Sequence, residues 1–280
     1  MVTESAGEHV VLVTGAARGL GWGIARAFGR SGWNVCVTDL RDDDLARCAD
    51  DLTADGANFL TLRSDVADLA DCRRVVGTMV ERWGRLDAVV HNAIYMPLIA
   101  FDATTPEEWT RQIDVGLGGL FNCTHVAWEQ MKAQGGGHII GVASGSSIRG
   151  FKEEIAYCAI KHGVEGFVKA LSLEASDHNI AINTIGPGAT IKPTRMTWAE
   201  YEQAPAEQRA EWADPVELGK AWVWLANQPT DRFSGFRFDA GPLVETLARE
   251  GDAFAFSPEK VTLYPDDFRA RKSWYDSYAD

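Results

Sequence analysis

The sequence predicts an α/β protein: a single doubly wound domain whose parallel sheet of about seven strands is flanked by helices. Three observations carry this. Short continuous apolar runs recur along the chain, as strands buried on both faces require. Helix-length segments separate them, which implies crossover connections of one hand. The first run leads straight into a glycine-rich turn and then a helix.

In chain order, Val10–Val13 reads as the first strand, followed by the turn Thr14-Gly15-Ala16-Ala17-Arg18-Gly19-Leu20-Gly21 and a helix over Trp22–Ser31. Trp33–Thr38 reads as the second strand, ending at Asp39, and Asp42–Asp55 as a helix. Phe59–Leu62 is the third strand, with Asp65-Val66 just beyond it. A helix over Asp68–Trp83 stops at Gly84. Leu86–Val90 is the fourth strand, leading into His91-Asn92-Ala93-Ile94. Thr105-Pro106 starts a helix with a hydroxyl cap and a proline in the first turn. It extends to about Gln134, weakened at Gly116, Gly118 and Gly119. His138–Ala143 is strand five, Glu153–Asp177 a long helix, and Ile180–Ile185 strand six before Gly186-Pro187-Gly188. Asp214-Pro215 opens a helix to Ala226, and Gly235–Phe238 is the last strand.

The composition excludes several function classes. A net charge of −13 argues against nucleic acid or an anionic membrane as the main partner. Five dispersed cysteines without a CxxC spacing suit free thiols in a reducing compartment, and the scattered histidines form no metal cluster. The first residues show no signal-peptide pattern, and no apolar run approaches the ~18 residues of a membrane span. The expectation is a cytoplasmic protein with a small-molecule substrate.

Candidate chemistry lies in three places. The glycine turn, set between a strand and a helix, can place backbone N–H groups and a helix dipole against a pyrophosphate. Asp39, at the tip of strand two, can accept from a ribose 2′-hydroxyl and repel a 2′-phosphate, which favours NAD over NADP; Arg18 and Arg41 are cations nearby that soften that preference. Tyr157 and Lys161 stand four apart on one helical face, where an ammonium beside a phenol can draw its pKa down from ~10. Ser144, thirteen positions upstream of Tyr157, falls at a strand tip.

In these motifs the chain resembles the short-chain dehydrogenases/reductases over roughly Val10–Gly241. The resemblance rests on Thr14-Gly15…Gly19-Leu20-Gly21, Asp39, Asp65-Val66, Ser144 with Tyr157 and Lys161, and Pro187-Gly188, in order and at the family's spacing. It implies a Rossmann domain over residues 1–241 that binds NAD through Gly15, Arg18, Gly19, Leu20, Asp39, Leu40, Asp65, Val66, Asn92, Ala93, Ile94, Tyr157, Lys161, Pro187, Gly188 and Thr190. It also implies hydride transfer between a nicotinamide and an alcohol/ketone pair. Tyr157 would exchange the proton, Ser144 would hydrogen-bond the reacting oxygen, and Lys161 would lower the tyrosine pKa. The family commonly assembles as dimers or tetramers, so a homo-oligomer is expected.

Two positions depart from the pattern. Ile94 stands where the family usually has glycine, and Gly116 where it has an asparagine that helps relay protons to the lysine. These departures support an alternative, a non-catalytic NAD-binding regulator, against which the retained Ser144, Tyr157 and Lys161 argue. Substrate contacts are expected at Ser144, Tyr157, Tyr95 and Met96 and from a lid over residues 190–214, with Met196, Trp198, Tyr201 and Trp212 either closing over the cofactor or packing the lid onto its own base. Residues 242–280 extend past the usual end of the family domain, carrying Phe254, Phe256, Tyr264, Phe268, Trp274, Tyr275 and Tyr278. Packing of this extension on its own or a neighbouring subunit is expected.

Overall fold

The computed structural model describes residues 9–251. Seven parallel strands form one sheet in the order β3-β2-β1-β4-β5-β6-β7: β1 Val10–Thr14, β2 Asn34–Asp39, β3 Phe59–Arg63, β4 Ala88–His91, β5 Gly137–Val142, β6 Ile180–Gly186 and β7 Arg237–Asp239. The strand order reverses between β1 and β4, so a crevice opens past their carboxyl ends.

Alternation along β1 shows why both faces are covered. Val11 and Val13 join the core formed with α1 (Gly19–Arg30), α2 (Asp42–Ala54), α9 (Pro215–Ala226) and α10 (Ala240–Glu250). Val10 and Leu12 join the core formed with α3 (Leu69–Trp83), α5 (Gly119–Gln134) and α6 (Ile155–Ala175). Helix ends follow their local chemistry: the Asp68 side chain accepts from Ala70 N, and Gly84 closes α3 at φ +76. Helix α1 crosses α9 through glycine, since a Cβ on Gly23 would lie 2.2 Å from the carbonyl carbon of Pro215. The short helices α7 (Trp198–Gln203) and α8 (Ala206–Ala210) belong to the expected lid.

Three elements differ from the sequence reading. The helix expected over residues 105–134 is α4 (Pro106–Ile113), a π-helical turn at Asp114–Gly118, and α5. The glycine-rich middle that weakens the helix is where the wider turn sits. The last strand starts later than expected, at Arg237. Chain past Gly241 does not leave the domain at once: α10 runs through it, burying Leu243 in the core beside Val244 and Leu247. The remainder of the expected extension, with its aromatic residues, lies outside the described residues. Among the described residues no helix is long and apolar enough to cross a membrane, and no group of three or more metal-ligating side chains is found.

Candidate active site

One row of paired residues runs across the sheet just below the crevice. Register pairs Leu62 with Thr38, Thr38 with Thr14, Thr14 with His91, His91 with Gly141, Gly141 with Thr184, and Thr184 with Arg237. Five of these, Thr38, Thr14, His91, Thr184 and Arg237, are polar and buried inside strands that otherwise read as apolar. Buried polar groups need partners, and four of the five take theirs from the loops and helices that build the site.

Thr14 Oγ1 accepts from the backbone N–H groups of Asn92 and Ala93, each at 3.2 Å, and lies 3.2 Å from His91 Nδ1. His91 Nε2 is 3.0 Å from the Gly116 carbonyl, which can only accept, so this nitrogen carries the proton and Nδ1 accepts from Thr14. Burial pushes the imidazole down to about 3, so it stays neutral. Asn92 Nδ2 donates to the carbonyls of Thr14 (3.1 Å) and Gly15 (2.7 Å), tying the loop after β4 to the glycine turn. Gly15 sits at φ +60, and a Cβ there would lie 2.6 Å from Ala93 Cα, so no other residue fits the approach. Gly19, at φ +61, faces open crevice, with only the Lys192 side chain near the position of a Cβ. Backbone approach of an anion to the start of α1 is therefore unobstructed.

The Asp39 carboxylate accepts from the backbone N–H groups of Ala17 (3.3 Å), Leu40 (2.8 Å) and Arg41 (3.3 Å). Beside it, Arg18 Nη1 lies 4.0 Å from Asp44 Oδ2 and has no hydrogen-bond partner among the described residues; burial, then Arg41, pushes its pKa down. Asp65 accepts from Ala67 N at 3.0 Å, and the Val66 carbonyl from Asn122 Nδ2 at 3.0 Å.

On the far side, Ser144 follows the end of β5. Its backbone N–H donates to Ser147 Oγ (3.2 Å), its hydroxyl accepts from Ser146 N (3.2 Å), and the same side chain acts on the Tyr157 phenol. The shift of the phenol pKa is upward, where the spacing suggested a fall. Burial pushes its pKa up, the Ser144 hydrogen bond pulls it back, and Glu154 adds to the rise. Lys161 Nζ is 5.5 Å from the Tyr157 ring centre and donates at 2.6 Å to the Val142 carbonyl, so its short contact is with β5. Burial lowers the Lys161 pKa to about 8, opposed by Glu165 one helical turn on. Glu165 is itself buried. Its carboxylate accepts from Arg237 Nη1 (2.7 Å) and Thr184 Oγ1 (3.1 Å), while Arg237 Nη2 donates to the Ser144 carbonyl (3.0 Å) and lies 3.6 Å from Asp239.

The two departures in the sequence meet in space. A Cβ on Gly116 would lie 2.6 Å from Ile160 Cγ2 and 2.8 Å from Ile94 Cδ1, so the Ile94 side chain fills the room a larger residue at 116 would need. The Gly116 carbonyl, the polar group this position keeps in place of an asparagine side chain, is bonded to His91.

Every cofactor residue expected from sequence lines one crevice of about 1540 Å³ together with Tyr95, Met96, Ser144, Tyr157 and Lys161. Met196 and Trp198, expected at the substrate, do not line it. Met196 meets its lid neighbours through its backbone, its carbonyl accepting from Lys192 Nζ (2.6 Å) and its N–H donating to the Pro193 carbonyl (3.0 Å). Trp198 packs edge-on to Trp22 (5.2 Å between ring centres) and donates to the Ala17 carbonyl (3.4 Å); the Arg47 guanidinium lies 4.1 Å above it. With Tyr201 and Trp212 it walls a second cavity of about 380 Å³ against α1. The aromatic residues of the lid thus bury one another and the glycine-turn helix, which leaves them no reach to Tyr157. Sequence reasoning missed His91, Asn122, Thr184, Glu165, Lys192 and Arg237. Of these, Glu165 carried a signal, four residues past Lys161 on the same helical face.

A family model described as short chain dehydrogenase matches residues 9–205. The chain is 35% identical to a trans-4-hydroxycyclohexanecarboxylate dehydrogenase of Sinomonas cyclohexanicum, covering 84% of this chain and 92% of that relative. It is 33% identical to an L-fucose dehydrogenase of Oryctolagus cuniculus, covering 78% and 79%. Its structure is similar to that of a putative short-chain alcohol dehydrogenase from Sinorhizobium meliloti, with a TM-score of 0.74 and 28% identity over 83% of this chain and 94% of that one.

Proposed function

The chain belongs to the short-chain dehydrogenase family and is an oxidoreductase acting on CH–OH groups; we propose that it interconverts a secondary alcohol and a ketone with NAD, using Tyr157 as the proton donor and acceptor. The observation that carries this reading is the convergence of Ser144, Tyr157 and Lys161 on one crevice at the reversal of strand order. The glycine turn, Asp39, Asp65-Val66, Asn92 and Pro187-Gly188 would hold the dinucleotide, and the open approach at Gly19 supports the fit. When bound, the nicotinamide supplies the hydride acceptor or donor.

Tyr157 passes a proton to or from the substrate oxygen. Its raised pKa keeps the phenol protonated at neutral pH, the form that protonates a ketone oxygen. Ser144 hydrogen-bonds that oxygen where charge develops, and its position is fixed by Ser147 and Arg237. Lys161 is held on the Val142 carbonyl with its Nζ 5.5 Å from the Tyr157 ring centre, which keeps a positive charge beside the phenol. The preference for NAD rests on Asp39, whose carboxylate at the tip of β2 disfavours a 2′-phosphate. Cyclic secondary alcohols and sugars are the first substrates to try, because the relatives are named a trans-4-hydroxycyclohexanecarboxylate dehydrogenase and an L-fucose dehydrogenase.

The test offers cyclohexanol, trans-4-hydroxycyclohexanecarboxylate, L-fucose and a steroid alcohol with NAD or NADP, and follows absorbance of the reduced cofactor. We expect turnover with NAD above NADP, lost by more than a thousandfold in Tyr157→Phe on the scale of general acid–base and positioning effects. A fully active Tyr157→Phe enzyme would remove the assigned role. Assembly as a homodimer or homotetramer is part of the same proposal. Phe121 on α5 (52% exposed) and Leu173 on α6 (80% exposed) are large apolar side chains left in solvent by a single chain. A light-scattering mass of one chain would reject it.

A further inference from the structure

Lys192 differs from the other cations of the crevice in where it comes from and what it faces. It belongs to the lid, yet its Nζ lies 3.7 Å from where a Cβ on Gly19 would stand, over the start of α1. It borders both cavities, on the wall between the crevice and the aromatic pocket of Trp198, Tyr201 and Trp212. Its short contact is with the Met196 carbonyl, at 2.6 Å. The carboxylates that act on it, Asp44 and Glu200, do so at longer range, while Arg18 on the adjoining turn opposes it. Burial pushes the ammonium down to about 8, the mark of a cation with incomplete compensation. Arg18 repeats the pattern: its Nη1 is buried without a hydrogen-bond partner. Two under-compensated cations therefore flank a glycine whose missing side chain leaves the backbone open. The N-terminus of α1 adds to the same positive field. Desolvated cations compensated only at a distance, Arg18 by Asp44 at 4.0 Å, are costly, and an anion seated between the two would relieve both.

We propose that Lys192 binds the diphosphate of the dinucleotide, reaching it from the lid across Gly19, so that the lid clasps the cofactor. This rests on the reading of the crevice as a nicotinamide dinucleotide site. The lid is built for that side of the crevice. Trp198 is fixed to Ala17 and Trp22, and Arg47 of α2 stacks on Trp198 while its guanidinium meets Glu202 at 2.7 Å. All of these anchors lie on or beside the glycine turn, and none lies on the Tyr157 side. Position separates a diphosphate from a 2′-phosphate as the ligand. A 2′-phosphate would sit at the tip of β2, by Asp39 and Arg41, whereas Lys192 stands over the turn itself.

The full chain and its Lys192→Met and Lys192→Arg variants are compared for equilibrium binding of NAD, NADP, ADP-ribose and adenosine, the last by saturation-transfer NMR. Lys192→Met should weaken NAD, NADP and ADP-ribose together by about tenfold or more, the scale of a hydrogen bond to a charged group. Adenosine, which has no diphosphate, should be unaffected, and Lys192→Arg should recover most of the loss. Unchanged binding of ADP-ribose overturns the proposal. So does equal weakening of adenosine, which would report collapse of the lid, and so does a loss confined to NADP, which would move the lysine to the 2′-phosphate. A wild-type chain that binds none of the four overturns the dinucleotide reading along with it, whereas binding that ignores residue 192 leaves that reading standing.

Discussion

The two ends of the crevice are built from different materials. At the β1–β2 end the contacts run through backbone: Asp39 accepts from three main-chain N–H groups, and Asn92 donates to the carbonyls of Thr14 and Gly15. Glycines let these segments approach. At the β5–β7 end a row of buried charges, Lys161, Glu165 and Arg237, holds helix, strand and the Ser144 loop together. The difference follows from what each end must do. Seating an anion needs fixed dipoles and close backbone approach. Moving a proton needs titratable groups whose positions do not drift, and in a low dielectric only neutralised charges stay in place.

The contrast can be broken first at Arg237. Arg237→Met leaves Glu165 buried without its cation, and unfolding in urea should show a loss of about 3–5 kcal/mol. Replacing both partners, as Arg237→Met with Glu165→Gln, should recover part of that loss. A single variant as stable as the wild type would mean that the β5–β7 end is not organised by charge. A smaller effect sharpens the comparison at the glycines. Gly116→Ala should cost about 1–3 kcal/mol by crowding Ile94 and Ile160, and trimming Ile94 to valine should return part of it, because the obstacle is a side chain. Gly15→Ala meets the Ala93 backbone at a positive φ, so no neighbouring substitution should rescue it. Thermal melts of the single and paired variants give the answer. Equal rescue at both positions would mean that side chains also limit the approach at Gly15, and would remove its backbone-built character.

The same division explains what could be read from sequence. The glycine turn, Asp39 and the Ser144–Tyr157–Lys161 set are patterns of local spacing on one strand tip or one helical face, so they survive without coordinates. Arg237 and Glu165 are 72 positions apart and meet only because β7 is laid beside β6. Trp198 reaches Ala17 across 181 positions, so its aromatic character suggested a cover but not which end of the crevice it covers. The polar row of Thr14, His91, Thr184 and Arg237 was hidden for another reason. Read from sequence, Thr14 and His91 fall just past their strands and Thr184 and Arg237 within theirs, and only strand register shows that they line up. The split of the long helix at Asp114–Gly118 was foreshadowed by its glycines, but the π-helical turn, and the carbonyl it aims at His91, depend on packing against β4.

The backbone bond from Ala213 N–H to the Thr190 carbonyl, at 2.8 Å, joins the two ends of the lid where it leaves and re-enters the sheet domain. Residues 191–212 are therefore a closed appendage whose stem is a single rung, and no strand runs through it. Closing a loop costs free energy that grows only slowly with its length. A change in its length is accordingly cheap in closure free energy and leaves the strand register beneath it untouched, provided that the Trp198 anchor on Ala17 and Trp22 is kept.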